Sequence, residues 1–326
     1  MIRLKKFAGY ALGTLGITIL ILAVTFCGIV LYPKGVFSNT YQSAIQDKVR
    51  YYQNLEGKKI IITGGSNCAY GIDEDALEKA TGLQVANLGL YAGFGDLFQT
   101  ELVKANLGEG DIVLLAYEYN WMEESAFTDI LSDTVMSGID DDISLYQYVP
   151  ARNWNQILGY LFTYVQDKKD HQENPGEDHH YTIFDTDGRM ILDRPECIMG
   201  DFTEGEDYYN PVDLTGVSIS EESIQYLKKF KAYVESKGAS VYFIAPPLWE
   251  EAVDCDTVEF ERLKKEEEQE IGISYLSDPE DYFFPKDDMY DTVYHCSNKG
   301  EKLRTRLLLQ DLQQAGVIME AASSKG

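Results

Sequence analysis

Basic residues are scarce in this chain: its 326 residues carry 28 Lys and Arg against 54 Asp and Glu, a net charge of −26. A field of that sign repels phosphate backbones, which excludes nucleic acid as a partner. Acidic residues are absent from the first 32 positions, where the only charges are Arg3, Lys5 and Lys6. Histidine occurs four times, at positions 171, 179, 180 and 295, so few groups are candidates for a catalytic base. There is no Gly-Lys-Ser/Thr and no Gly-x-Gly-x-x-Gly, so no phosphate-cradling loop and no cofactor is expected. The five cysteines (Cys27, Cys68, Cys197, Cys255 and Cys296) are too widely spaced for a zinc finger. For the four beyond the N-terminal segment, disulfides and free buried thiols both remain open.

What is present is ample for a packed core: 44% of residues are hydrophobic and 12% aromatic. From Phe7 to Tyr32 no residue is charged. At about 1.5 Å per residue this run exceeds the roughly 30 Å hydrocarbon core of a bilayer. It is long for a signal peptide, no small-x-small cleavage site follows, and bulky Phe26 before Cys27 does not suit a lipoprotein signal. An uncleaved single-pass anchor is therefore expected over residues 1–32. The three leading cations place its N-terminus in the cytoplasm and the rest of the chain outside.

Residues 33–57 read as a polar, Tyr- and Gln-rich helical stalk, and residues 58–326 as the main domain. Its first strand is Lys58–Thr63, an apolar run ended by Gly64-Gly65. A helix over Asp75–Thr81 closes on Gly82, and strands at Leu83–Asn87 and Asp111–Tyr117 flank a helix over Asp96–Asn106. An amphipathic helix at Glu221–Lys237 precedes a fourth strand, Ala239–Ala245. A helix at Thr257–Glu270 precedes a fifth, Ile271–Leu276, and a last helix spans Asn298–Gln314. Alternation of this kind predicts an α/β fold: a parallel sheet of about five strands in a three-layer, flavodoxin-like sandwich. Residues 120–220 form a large insertion between strands 3 and 4, without a regular α/β pattern and with a hairpin near Asp185–Gly188. Most of it is expected to serve as lid or packing material.

Chemistry is expected where strand-end loops converge. Gly64-Gly65-Ser66-Asn67 ends the first strand, and a Ser in a Gly-led turn offers an accessible hydroxyl beside a backbone N–H. Taken alone it is also ordinary turn chemistry. A serine needs a base and the base an orienting carboxylate, and His295, four residues after Asp291, supplies that pair just before the last helix. The other histidines sit in a hydrophilic segment with Asp167, Asp170, Glu173, Glu177 and Asp178, which reads as a solvated loop rather than a metal site. The aromatic residues between Trp121 and Trp154 suit core packing or stacking on a sugar ring.

With those residues in place, the sequence resembles the SGNH hydrolase superfamily, and within it the membrane-anchored subgroup that includes the D-alanyl-lipoteichoic acid assembly and alginate O-acetylation proteins. The resemblance covers about residues 58–118 and 239–314 plus the N-terminal segment. Gly64–Asn67 is similar to the nucleophile block, Asn87–Gly93 to the second block, and Asp291, His295, Gly300 and Arg304-Thr305 to the closing block. It implies Ser66 as nucleophile, His295 as base and Asp291 as its orienter. It implies an oxyanion hole from Ser66, Ala92, Gly93 and Asn120, and substrate contacts from Asn67, Tyr91 and Glu118. The implied activity is acyl transfer to, or ester hydrolysis on, a cell-surface glycan or polymer, with a multi-span membrane O-acyltransferase as partner. Asp291 stands four residues before His295 where three is usual, and Ser297 replaces a common Asn. Glu118 stands where an Asn side chain usually serves the oxyanion. A carboxylate there opposes the developing charge, and a lost donor costs about 3 kcal/mol, so a catalytically inactive binding or assembly protein is the rival expectation.

Overall fold

The computed structural model describes residues 2–119, 127–173, 182–199 and 211–318, with side chains from residue 10 onward. A long helix, α1 (Ile2–Leu31), opens the chain. Its Leu15, Ile19, Leu22 and Val24 are all exposed apolar side chains, so it is hydrophobic on every face. Over Tyr10–Leu31 it is long and apolar enough to cross a membrane.

The domain is mixed α/β, built on four parallel strands: β1 (Lys59–Gly64), β2 (Gln84–Asn87), β3 (Ile112–Ala116) and β4 (Ser240–Phe243), in the order β2-β1-β3-β4. Central β1 pairs on both sides, Ile60 lying opposite Val85 and Ile112, which is why its sequence is a continuous apolar run. The pleat sends Ile61, Val113 and Leu115 into one core and Ile60, Ile62 and Leu114 into another on the opposite face. The expected fifth strand is reduced to one parallel bridge between Phe243 and Tyr275, with Phe243 N–H donating to Ser274 O. The sheet therefore has four strands, not five. A separate two-stranded ribbon joins β5 (Leu248–Trp249) to β6 (Phe283–Phe284).

The helices begin and end where their caps dictate. α3 (Ser66–Gly71) follows β1 directly, and α4 (Glu74–Thr81) is capped by Asp73, whose carboxylate accepts from Ala76 N–H at 2.9 Å. α5 (Asp96–Leu102) lies between β2 and β3. The insertion contributes α6 (Ser132–Ile139) and the 20-residue α7 (Trp154–Glu173), and Phe184 pairs with Met190 at the expected hairpin. α8 (Glu221–Ser236) carries a Ser220 cap with Glu221 and Glu222 in its first turn. α9 (Val258–Ile271) and α10 (Asn298–Gln314) complete the chain as far as it is described. Among its described residues the insertion adds two helices and no strand of the main sheet.

The expected stalk is also corrected. Residues 44–54 form α2 (Ala44–Asn54), whose Ala44, Ile45, Val49 and Tyr52 are buried in the main core. Tyr52 donates through its hydroxyl to Val103 O at 2.7 Å, and buried Lys48 donates to Asn87 O at 3.0 Å. This helix is part of the domain, not a spacer.

Candidate active site

β1 delivers the chain to Gly64, whose φ of +153° lies in a region that L side chains rarely adopt. A Cβ there would stand 2.3 Å from Ala116 O of neighbouring β3, so only glycine lets the turn pass. Gly65 caps α3 in an extended conformation, and Ser66 is the first residue of that helix. Its N–H therefore has no acceptor in a preceding turn. The second site segment is the loop before α10. Tyr290 N–H donates to His295 O at 2.8 Å, and Met289 pairs with Cys296. That tight loop absorbs the extra residue between Asp291 and His295.

The two segments, 229 positions apart, meet. His295 Nε2 lies 2.8 Å from Ser66 Oγ, and His295 Nδ1 lies 2.7 Å from Asp291 Oδ1. With Nδ1–H donating to the carboxylate, Nε2 is left to accept the serine proton, the tautomer a general base requires. Ser66 is 9% exposed and the His295 side chain 13%, sheltered but reachable, whereas a third of Asp291 faces solvent.

Two supports, Tyr70 and Arg194, went unread in the sequence, and a third, Arg304, is the arginine of the closing block. Tyr70, one helical turn after Ser66, lies flat on the imidazole with ring centroids 4.0 Å apart and planes 3° apart. Burial pushes the Tyr70 hydroxyl up to about 12, so it stays neutral. Arg194 reaches in from the insertion: its guanidinium donates to Tyr70 O at 2.8 Å and pairs with Glu301 at 2.7 Å. Arg304 of α10, fully buried, donates to both Asn67 O (2.6 Å) and Asn67 Oδ1 (2.9 Å), clamping the residue after Ser66. Gly300 lets α10 approach, since a Cβ there would stand 1.9 Å from Asp288 O. Ser297, the departure from the common Asn, caps α10 by accepting from Gly300 N–H at 3.4 Å.

The remaining expected residues fall into distinct places. A cavity of about 350 Å³ is lined by Gly65, Tyr91, Ala92, Gly93, Asp96, Glu118, Asp129, Ile130 and Leu131. It brings Ala92 and Gly93 to the Ser66 end of β1, and Tyr91 and Glu118 to the same wall. Glu118 Oε1 accepts from Asn67 N–H at 3.3 Å and from Asn67 Nδ2 at 3.4 Å, so this carboxylate braces the turn that carries Ser66. Asn67 is no substrate contact: its side chain is completely buried, donating to Ala116 O at 2.9 Å and receiving Arg304. Asn120 lies outside the described residues. Burial, and then the Glu118 carboxylate, push the Asp96 carboxyl well above the usual range. Three carboxyl groups and, among the described residues, no cation line this cavity, which disfavours anionic substrates.

The alternatives to the serine site are thinner. His171 Nε2 lies 3.0 Å from Asn39 Oδ1 and its ring packs on Phe37, while His179, His180, Glu177 and Asp178 lie outside the described residues. Trp154 packs on Phe26 and Tyr146, and Trp121 lies outside the described residues. All five cysteines are free thiols. Burial pushes Cys68 and Cys296 up to about 12, which keeps both unreactive.

The structure is similar to that of protein YxiM from Bacillus subtilis at 14% sequence identity and a TM-score of 0.34. The match covers 80% of this chain and 58% of that one, so the chain spans less than two thirds of that protein's length. No family model matches the chain, and no curated protein matches it. A likeness this remote carries no functional information, and the chemistry rests on the chain's own geometry.

Proposed function

We propose that the protein is an SGNH-type serine acyltransferase or acylesterase, held outside the cell by α1 and acting on a cell-surface glycan or polymer. One observation carries this reading: the continuous hydrogen-bonded line Asp291–His295–Ser66, with contacts of 2.7 and 2.8 Å. On this reading the four-stranded core with a covered sheet is the flavodoxin-like three-layer sandwich, and residues 120–220 are its insertion.

In the first half-reaction, Ser66 Oγ attacks the acyl carbonyl carbon while its proton passes to His295 Nε2. Asp291 stabilises the imidazolium through the Nδ1–H hydrogen bond and Tyr70 fixes the ring plane. The oxyanion is held by the N–H groups of Ser66 and of Ala92 or Gly93. Collapse expels the leaving alcohol, which takes the proton from Nε2. A polymer hydroxyl, or water, then repeats the sequence on the acyl-serine. By resemblance alone, a multi-span membrane O-acyltransferase supplies the acyl group.

The test is turnover of p-nitrophenyl acetate by the purified full chain. The Ser66→Ala variant is expected to lose it entirely while keeping its thermal transition. The second reading, an inactive assembly protein on the same fold, is favoured by Glu118, a carboxylate on the cavity wall where a donor is needed. It predicts that the parental chain is as inert as the variant.

A further inference from the structure

The insertion helix α7 is held against the end of α1 at two points. Near its start, Trp154 packs on Phe26, with ring centroids 5.6 Å apart. Near its end, the buried Lys168 ammonium donates to Val30 O at 2.7 Å and Pro33 O at 3.1 Å, and pairs with buried Asp140 at 3.0 Å. These carbonyls close the C-terminus of α1, where a helix leaves acceptors unpaired and its dipole favours a cation. Trp154 and Lys168 are about 21 Å apart along α7, whereas Phe26 and Val30 are about 6 Å apart along α1. Allowing for side-chain reach, α7 runs across the end of α1 rather than alongside it.

The outer surface of α7 is not what a solvated helix shows. Phe162 is 91% exposed, Leu158 50% and Val165 47%. At about 100° per residue these three share an arc roughly 60° wide. Around the helix, the order is the buried residues Tyr164 and Ile157, then Lys168 and Trp154, then this stripe. The stripe therefore adjoins the side that grips α1, and Leu22, exposed on α1, lies one turn before the Phe26 that this side meets. Lys169 falls within the same arc and exposed Tyr32 marks the end of α1, residue types suited to a headgroup layer.

We propose that α7 lies in the outer headgroup layer of the bilayer that α1 spans, with Leu158, Phe162 and Val165 in contact with lipid. This rests on α1 being a membrane span. The occupant is lipid because the stripe adjoins the side of a transverse helix that grips the end of the span, the level at which headgroups lie. The consequence is a domain docked on the membrane surface at a fixed orientation instead of swinging on a tether.

The experiment uses the full chain in phosphatidylcholine vesicles whose acyl chains carry bromine near the headgroup end, in which a tryptophan in contact with lipid loses emission. Phe162→Trp is expected to add emission that bromine quenches by about half or more and that acrylamide in the water scarcely reaches. Val24→Trp, on the exposed face of α1, reports separately whether α1 is inserted. Quenched Val24→Trp with a Phe162→Trp signal open to acrylamide overturns the docking of α7 alone. A Phe162→Trp signal shielded from acrylamide yet untouched by bromine also overturns it, since a protein surface then covers the stripe. An unquenched Val24→Trp overturns the span, and the docking with it.

Discussion

Arg304 carries a prediction that joins stability to catalysis. Its two terminal nitrogens serve two different oxygens of Asn67, at 2.6 and 2.9 Å, in a site with no access to water. Arg304→Lys keeps the charge and most of the stem but replaces a planar fork with a single nitrogen on a shorter reach. At most one of the two acceptors stays paired at the native geometry. An unpaired buried acceptor costs about 1–3 kcal/mol, so a loss of about 2 kcal/mol is expected. At about 2–4 °C per kcal/mol this lowers Tm by about 4–8 °C. Asn67 adjoins the nucleophile, and a displacement of about 1 Å at a reacting atom is worth on the order of a hundredfold in rate. Differential scanning calorimetry and ester turnover on the same preparation read both effects. A lysine variant with the parental Tm and the parental kcat refutes the claim that this clamp positions Ser66.

Two other substitutions probe carboxyl groups. Glu118→Gln keeps an acceptor for Asn67 N–H while removing a negative charge from the cavity wall; turnover of a neutral ester is expected to rise at least about fivefold, since two like charges about 4 Å apart repel by about 1 kcal/mol in water and about 4 kcal/mol at an effective dielectric near 20, and an unchanged rate places the oxyanion elsewhere. Glu267 of α9 is buried and its carboxyl is pushed up to about 8 by loss of solvent. The folded state then holds a proton that the unfolded chain releases near the ordinary glutamate value, so stability falls as pH rises through about 4.5 to 8, by up to roughly 5 kcal/mol. Denaturant midpoints of Glu267→Gln across that range are expected to flatten this slope, and identical slopes in the two chains contradict it.

The meeting of Ser66 with His295 was legible because strand-end loops of a parallel sheet converge at one edge and because His295 is the one histidine outside the hydrophilic segment. Two of its supports were not, for reasons the contacts make plain. Arg194 reaches Tyr70 from the insertion across 124 positions, and no local pattern encodes a contact of that span. Tyr70 was within reach of inference, since a residue four places after Ser66 shares its helix face. α7 hid because apolar residues occupy two adjoining arcs of one helix, which erases the single stripe that marks an ordinary surface helix. In α2 the stripe Ile45, Val49 and Tyr52 has helical spacing, but the polar residues around it suggest a spacer. The fifth strand failed because Tyr275 alone pairs with β4.

On the proposed function, Ser66 is made nucleophilic by His295. Fluorophosphonate treatment of the full chain, followed by peptide mass spectrometry, tests it most directly. One adduct is expected, on Ser66, forming at least about a thousandfold more slowly in His295→Ala. A parental Ser66 that stays unmodified, or an adduct that forms equally fast without the imidazole, contradicts it.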